Sequence, residues 1–190
     1  MRTEPPGPHT AGERAAVILD AIEAHPQFGR LRTGTLAYAE RWVTFTGFPL
    51  LAEWDVHVDA PGLFVEAVRT MAMRAAVFEL TGDERLAELA VAGPVDEMVH
   101  ALATQFAALS RLQADLVLMF VPSTGVRAGR FGYGWRTEDS DGYDLDGYTD
   151  RVYRASGWGE PPRRFWLGHI ETRRSHLFTF GRQEDRRRAW

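Results

Sequence analysis

Two histidines and a glutamate near the C-terminal end have a spacing that could support chemistry: His169-x-Glu171-x4-His176. If this segment forms a hairpin that turns at residues 173–174, Glu171 lies opposite His176, and His169 shares their face. Cross-strand partners are about 5 Å apart, close enough to share a metal ion or to form a His–carboxylate pair. A surface Glu–His pair, with His169 as a core histidine, is the simpler and more common arrangement. If the chain has a catalytic or metal site, we expect His169 to belong to it.

A second candidate is the alternating segment Asp55-Val-His57-Val-Asp59. In a β-strand every second side chain points to the same face, so the three polar side chains would lie together. A carboxylate beside a histidine can fix its tautomer, and His-x-Asp supplies two ligands of a facial metal triad. The alternative is that these side chains form the solvent-exposed face of a half-buried strand.

A third candidate is the acidic segment 137–150, which contains six carboxylates and no basic side chain. Its spacing does not fit an EF-hand, which needs Asp-x-Asp-x-Asp-Gly and a glutamate at position 12. Interleaved tyrosines favour a contact surface for a basic protein partner. A solvated loop is the alternative. The residues predicted to contact the partner are Asp139, Asp141, Tyr143, Asp144, Asp146 and Tyr148.

Apolar residues at helical spacing predict the elements that would carry these candidates. A capping box formed by Thr10 and Glu13 predicts the start of the first helix, which Pro26 ends. The predicted core consists of the helices Leu63–Leu80 and Val95–Leu112, the second of which carries Phe106. Both are expected to pack on the apolar strand Ala114–Val121. The predicted helices are Thr10–His25, Leu63–Leu80, Asp83–Val91, Val95–Leu112 and Tyr148–Ala155.

Runs rich in β-branched, aromatic and alternating residues predict strands. A short helix over Leu36–Trp42 competes with the first of them. Strands and helices do not alternate, so a doubly wound parallel sheet is disfavoured. The prediction is an α+β fold: a single domain with a mostly antiparallel sheet packed against two or three long helices. The predicted strands are Leu31–Tyr38, Arg41–Thr46, Trp54–Asp59, Ala114–Val121, Arg130–Arg136, Arg164–Thr172 and Ser175–Phe180.

Missing residue types exclude several chemistries. The 190 residues include no cysteine and no lysine, so all 22 basic side chains other than histidine are arginine. Without cysteine there is no thiolate metal site or iron–sulfur cluster. Without lysine the chain cannot anchor pyridoxal phosphate or form a Walker-type ATP site. The scarcity of residues with AT-rich codons, including the absence of asparagine, suggests a bacterial gene of high GC content.

Length and charge indicate one ordinary globular domain. We expect a disordered segment at residues 1–9, a single domain over 10–182 and a charged tail at 183–190. We predict a cytoplasmic location, since we find no signal peptide and no apolar run approaching the roughly 20 residues of a membrane helix. The net charge of −4 makes nucleic acid an unfavoured partner.

Two functions remain open. The first is a small interaction protein without catalysis, which binds a protein partner and neutralises it as immunity proteins and antitoxins do. The second is a small-molecule enzyme of specialised metabolism with a His–carboxylate or metal site. That site would use His57, Asp59, His169, Glu171 and His176. The sequence favours binding slightly, because standard catalytic signatures are absent from it.

Overall fold

A computed structural model describes residues 4–39, 56–121 and 143–166, and all regular structure within these ranges is helical. The predicted α+β fold with an antiparallel sheet is therefore wrong for the described chain. The helices are α1 Pro8–Ala24, α2 Phe28–Ala39, α3 Val56–Thr81, α4 Glu84–Ala87, α5 Gly93–Ala103, α6 Phe106–Leu116 and α7 Tyr148–Ala155.

The central element is α3, a helix of 26 residues. Helices α1, α2 and α5 pack against it, and α7 packs on α1. The predicted helix Leu63–Leu80 is confirmed and extends by several residues at its start. Most of its inward residues are apolar, including Phe64, Val68 and Met73, and together with apolar residues of α1 and α5 they form one buried core.

Helix α1 begins two residues earlier than predicted. Pro8 occupies its first turn, Gly7 is the N-cap, and no side chain caps the helix. The predicted capping box of Thr10 and Glu13 is therefore wrong. Proline suits this position because its fixed φ matches the helix and its missing N–H needs no partner there.

The predicted strand Leu31–Tyr38 is helical and lies within α2. Leu31 and Thr35 are buried one turn apart, and the Thr35 hydroxyl donates to the Leu31 carbonyl oxygen at 2.7 Å. This bond satisfies a β-branched polar residue inside a helix. Burial of two residues four positions apart thus outweighs the preference of threonine and aromatic residues for strands.

The predicted strand Trp54–Asp59 is also wrong, because Val56–Asp59 is the first turn of α3. Positions two apart on a helix lie about 200° apart around its axis. The strand alternation from which a shared face of His57 and Asp59 was predicted is therefore absent from this turn.

The predicted helix Val95–Leu112 is two helices, α5 and α6, separated at Thr104 and Gln105. The Thr104 hydroxyl donates to the Ala101 carbonyl oxygen, which closes the end of α5. This break shifts the helical phase, so Phe106 is 76% exposed instead of being part of the core. The predicted strand Ala114–Val121 is wrong as well, because α6 continues to Leu116.

The short elements are closer to the prediction. Tyr148–Ala155 is confirmed as α7. The helix predicted over Asp83–Val91 is shorter, since α4 covers Glu84–Ala87 only. The predicted strands Arg41–Thr46, Arg130–Arg136 and Ser175–Phe180 lie outside the described residues, as does most of Arg164–Thr172.

Candidate interaction surface

The residues predicted to form a catalytic site are not brought together in the described chain. His169, Glu171 and His176 lie outside the described residues. Asp59 is buried, and both of its carboxylate oxygens accept hydrogen bonds from Arg164, at 2.8 and 2.7 Å. Such a bidentate pair holds the carboxylate in one position. Within residues 4–39, 56–121 and 143–166, no three His, Asp or Glu side chains converge as a metal site.

In the described part of the acidic segment, the two tyrosines bind within the molecule, whereas Asp144 and Asp146 are exposed. Tyr143 is buried, and its hydroxyl donates to Asp150. The Tyr148 hydroxyl donates to the Pro6 carbonyl oxygen at 2.8 Å, and burial raises the pKa of Tyr148 to about 12. Asp146 is exposed and pairs with Arg154, while Asp144 is exposed. Asp139 and Asp141 lie outside the described residues.

Asp150 is the buried centre of a polar group that we call the Asp150 cluster: Tyr143, Asp146, Asp150 and Arg163. Asp150 accepts from Tyr143, from the backbone N–H of Asp146 at 3.0 Å and from Arg163 at 2.7 Å. Burial by itself would raise the pKa of Asp150, but these hydrogen bonds outweigh it and lower the pKa. The carboxylate is therefore charged, and it joins Tyr143 and Asp146, which precede α7, to Arg163, which follows it.

A second buried group, the Glu66 cluster, consists of Glu66, Arg69, Tyr153, Trp158 and Trp166. Glu66 accepts from Trp166 at 2.8 Å, from Arg69 at 2.9 Å and from the Tyr153 hydroxyl at 3.2 Å. The Arg69 guanidinium carbon lies 5.5 Å from the ring centroids of both Tyr153 and Trp158, within cation–π range.

The Glu66 cluster links α3 to α7 and to the segment that follows α7. Glu66, Tyr153 and Trp166 are buried, and all three take part in hydrogen bonds. Burial, together with the charge of Glu66, raises the pKa of Tyr153, so its hydroxyl stays protonated and remains a donor. Sequence reasoning missed this cluster. The available signal was Glu66 and Arg69, a charged pair three residues apart inside a mostly apolar helix.

A histidine–aspartate pair that was not predicted joins the residue that caps the end of α1 to the end of α6. His25 Nε2 lies 3.2 Å from Asp115 Oδ2, and His25 Nδ1 accepts from the Gln27 backbone N–H at 3.2 Å. Since Nδ1 accepts, the ring hydrogen of neutral His25 is on Nε2, which donates to Asp115. Both ring nitrogens are engaged, so this pair positions the last turn of α6.

Helix α6 is followed by a valine with a left-handed backbone conformation. Val117 has φ 52° and ψ 41°, in the left-handed region, directly after α6. The Leu118 N–H donates to the Gln113 carbonyl oxygen at 3.0 Å, and the Val117 N–H donates to the Ala114 carbonyl oxygen at 3.4 Å. These two bonds form a Schellman motif, in which glycine normally occupies the left-handed position. A β-branched residue with positive φ is a true outlier.

Burial of the Val117 side chain does not offset this backbone strain, because the residue is 89% exposed. Phe106 is exposed at the other end of α6, and Ala107 and Ala114 are exposed between them. Arg111 and Asp115 are exposed beside this apolar face. We call these six residues the α6 surface: Phe106, Ala107, Arg111, Ala114, Asp115 and Val117.

The inward side of α6 offers little room for a ligand. An apolar void there is lined by residues of α1, α2, α3, α5 and α6 together with Phe120, and it has space for about one water molecule. A small molecule needs a pocket of about 300 Å³ or more. Among the features described above, the α6 surface is therefore the strongest candidate for contact with another molecule.

None of the helices in the described ranges is long and apolar enough to cross a membrane. No protein-family model, curated protein or solved structure matches this chain.

Proposed function

We propose that this chain is an interaction protein that binds another polypeptide through the α6 surface. Neutralisation of that partner, as by immunity proteins and antitoxins, is the narrower form of the same proposal. The observation that carries the proposal is Val117, which is strained and almost fully exposed. Strained backbone positions cluster at functional sites, where a gain elsewhere offsets their cost of about 1–3 kcal/mol.

Two further observations support the proposal. Phe106 is 76% exposed although large aromatic side chains contribute strongly to binding when a partner covers them. The His25–Asp115 pair holds the end of α6, so the surface is presented in one conformation before a partner arrives. Preorganisation of this kind lowers the entropic cost of binding.

Site-specific photo-crosslinking in the cells that make the protein tests the proposal. A photoreactive side chain at position 117 is expected to give covalent adducts of defined mass. The matched control is position 17, because Val17 is also an exposed valine, 56% accessible, but lies within α1. Adducts at 117 but not at 17 support the α6 surface, whereas no adduct at 117 contradicts it.

A competing enzymatic function makes a different prediction in the same cells. If the chain acts through His57, Asp59, His169, Glu171 and His176, His169→Gln abolishes turnover of a substrate and leaves the adducts at position 117 unchanged. If the chain acts by binding, Val117→Gly removes the adducts formed from a photoreactive group at position 114. His169→Gln then leaves them in place.

A further inference from the structure

We propose that His25 is a pH-sensitive connection between α1 and α2, in which protonation of the ring releases the turn that joins the two helices. The ring keeps its contact with α6 in both protonation states. This inference goes beyond the proposed function and does not depend on it. It is carried by the burial of the ring and by the hydrogen bonds of its two nitrogens.

The turn between α1 and α2 consists of residues 25–27, and His25 accepts two hydrogen bonds within it. Pro26 suits the second position of a β-turn because its φ is fixed. The Phe28 N–H donates to the His25 carbonyl oxygen at 2.9 Å, which closes the turn. The Gln27 N–H donates to Nδ1 of the ring at 3.2 Å. The ring nitrogen thus acts like the side-chain oxygen of an Asx turn, which accepts from the N–H two residues further on.

Protonation of the His25 ring reverses the role of one nitrogen and leaves that of the other unchanged. A neutral imidazole has one acceptor nitrogen, whereas the charged ring has two N–H donors and no acceptor. In charged His25, the hydrogen on Nδ1 would face the N–H of Gln27, donor against donor. Nε2 donates to Asp115 in both states, and a hydrogen bond between charged groups is the stronger one. Proton uptake therefore breaks the bond in the turn and keeps the link to α6.

Burial of the His25 side chain, which is only 8% exposed, prevents water from relieving this conflict where the ring stands. A buried donor without an acceptor is unfavourable, and two donors that face each other also repel. The ring must turn away from Gln27, or the backbone of the turn must open. Either movement frees the Gln27 N–H, so the exchange of this one amide hydrogen reports the protonation of the ring.

Within the described ranges, Asp115 of α6 is the acidic side chain that pairs with the ring. Other charged side chains in the nearby turns of α1, α2 and α6 are exposed and form no ion pair with His25 in these ranges: Asp20, Glu23, Arg30, Arg32 and Arg111. On α3, which packs against α1 and α2, the charged side chains are paired with other residues: Asp59, Glu66, Arg69, Arg74 and Glu79. The response to pH is therefore assigned to His25, since histidine ordinarily changes its charge between about pH 5 and 8.

Nuclear magnetic resonance of the unmodified chain from about pH 8 to about pH 5 tests the inference. The nitrogen resonances of the His25 ring show which nitrogen carries hydrogen, and we expect Nε2 alone at the upper end of this range. Amide exchange at Gln27 is compared with that of an unstructured amide at the same pH. This protection is expected to fall about tenfold as the ring becomes charged, as for the loss of one hydrogen bond. The Leu118 amide, at the end of α6, is expected to keep its protection.

His25→Asn separates the turn from the titration. An asparagine oxygen accepts from the Gln27 N–H as in an Asx turn, and the amide takes up no proton in this range of pH. The protection of Gln27 is therefore expected to become independent of pH. His100→Asn is the matched control, because His100 is exposed on α5 and lies 3.9 Å from Asp96. That variant is expected to retain the pH dependence at Gln27.

Several results would overturn the inference. Constant protection of Gln27 while the His25 ring becomes charged would show that the turn does not respond. A ring that stays neutral down to about pH 5 would exclude a response in this range. An equal loss of protection in His25→Asn would place its cause outside the ring. If His25→Asn does not fold, the ring and amide signals of the unmodified chain decide, because they must change together over the same range of pH.

Discussion

The indole nitrogen of Trp166 donates a hydrogen bond of 2.8 Å to Oε2 of Glu66, across a sequence separation of 100 residues. Both side chains are buried. Because a buried carboxylate is costly without donors, this bond couples the C-terminal end of the described chain to the middle of α3. Trp166 therefore adds to the core a residue that follows all of the described helices.

Trp166→Phe is expected to destabilise the fold by about 1–3 kcal/mol, because Glu66 loses a donor while it remains buried. Urea denaturation followed by far-ultraviolet circular dichroism measures this loss. Trp158→Phe is the control, since Trp158 is half-buried and contacts the edge of Tyr153. Trp158→Phe is expected to lower the free energy of unfolding by less than about 1 kcal/mol. Equal losses in the two variants would show that ring size matters and the hydrogen bond does not.

Val117→Gly is expected to stabilise the fold by about 1 kcal/mol, because glycine adopts the left-handed conformation without steric cost. The exposed valine gives up almost no packing. Val17→Gly should have the opposite sign and cost about 1 kcal/mol, since residue 17 lies within α1. Thermal melts of the two variants compare them directly. Destabilisation by Val117→Gly would mean that the valine side chain supports the turn.

Phe106→Ala is expected to change the free energy of unfolding by less than about 0.5 kcal/mol, because the side chain is exposed. Leu112→Ala, on the buried face of the same helix, should cost about 2–5 kcal/mol. A large loss on truncating Phe106 in dilute protein would place it in the core.

Asp150→Asn is expected to destabilise the fold by about 1–3 kcal/mol at pH 7, because the buried carboxylate loses its charge while solvent screens the partly exposed Arg163. The pKa of Asp150 is lowered in the folded protein. Its charge therefore stabilises the fold above the pKa of an unfolded aspartate, about 3.9, and this contribution is lost as the pH falls through the folded-state pKa. The difference in free energy of unfolding between Asp150→Asn and the unmodified chain should become smaller below about pH 4.

Asp20→Asn is the matched control for that experiment. Asp20 is exposed on α1, so its substitution should change stability by less than about 0.5 kcal/mol at either pH. Denaturation midpoints at neutral and acidic pH compare the two variants. A constant difference between Asp150→Asn and the unmodified chain across this range would show that the aspartate charge contributes nothing.

Helices with a strong apolar pattern could be predicted from the sequence. The predicted helices over Leu63–Leu80 and Tyr148–Ala155 are confirmed by α3 and α7. Helix α2 was missed because threonine and aromatic residues favour strands locally, whereas burial of Leu31 and Thr35 selects a helix. The break at Thr104 was missed because the apolar spacing continues almost unchanged across it.

The candidate surface could not be predicted, for two physical reasons. A left-handed helix end is normally marked by glycine, and Val117 gives no such signal. The exposure of Phe106 depends on a phase shift of two helices, which only their packing reveals. The two carboxylate clusters could not be predicted either. Glu66 binds Tyr153 and Trp166, which lie 87 and 100 positions away. Asp150 binds Tyr143 before α7 and Arg163 after it.

Arg163 and Arg164 are adjacent in the sequence but bind carboxylates on different helices, Asp150 of α7 and Asp59 of α3. A helix of eight residues, such as α7, is too short to persist alone in water. Because the two arginines join it to α3, we expect both helices to open as one cooperative unit. In hydrogen exchange, the amides of α7 should then be protected as strongly as those of α3, although α7 is a short peripheral helix. Early exchange of α7 alone would show that the paired arginines leave it free to open.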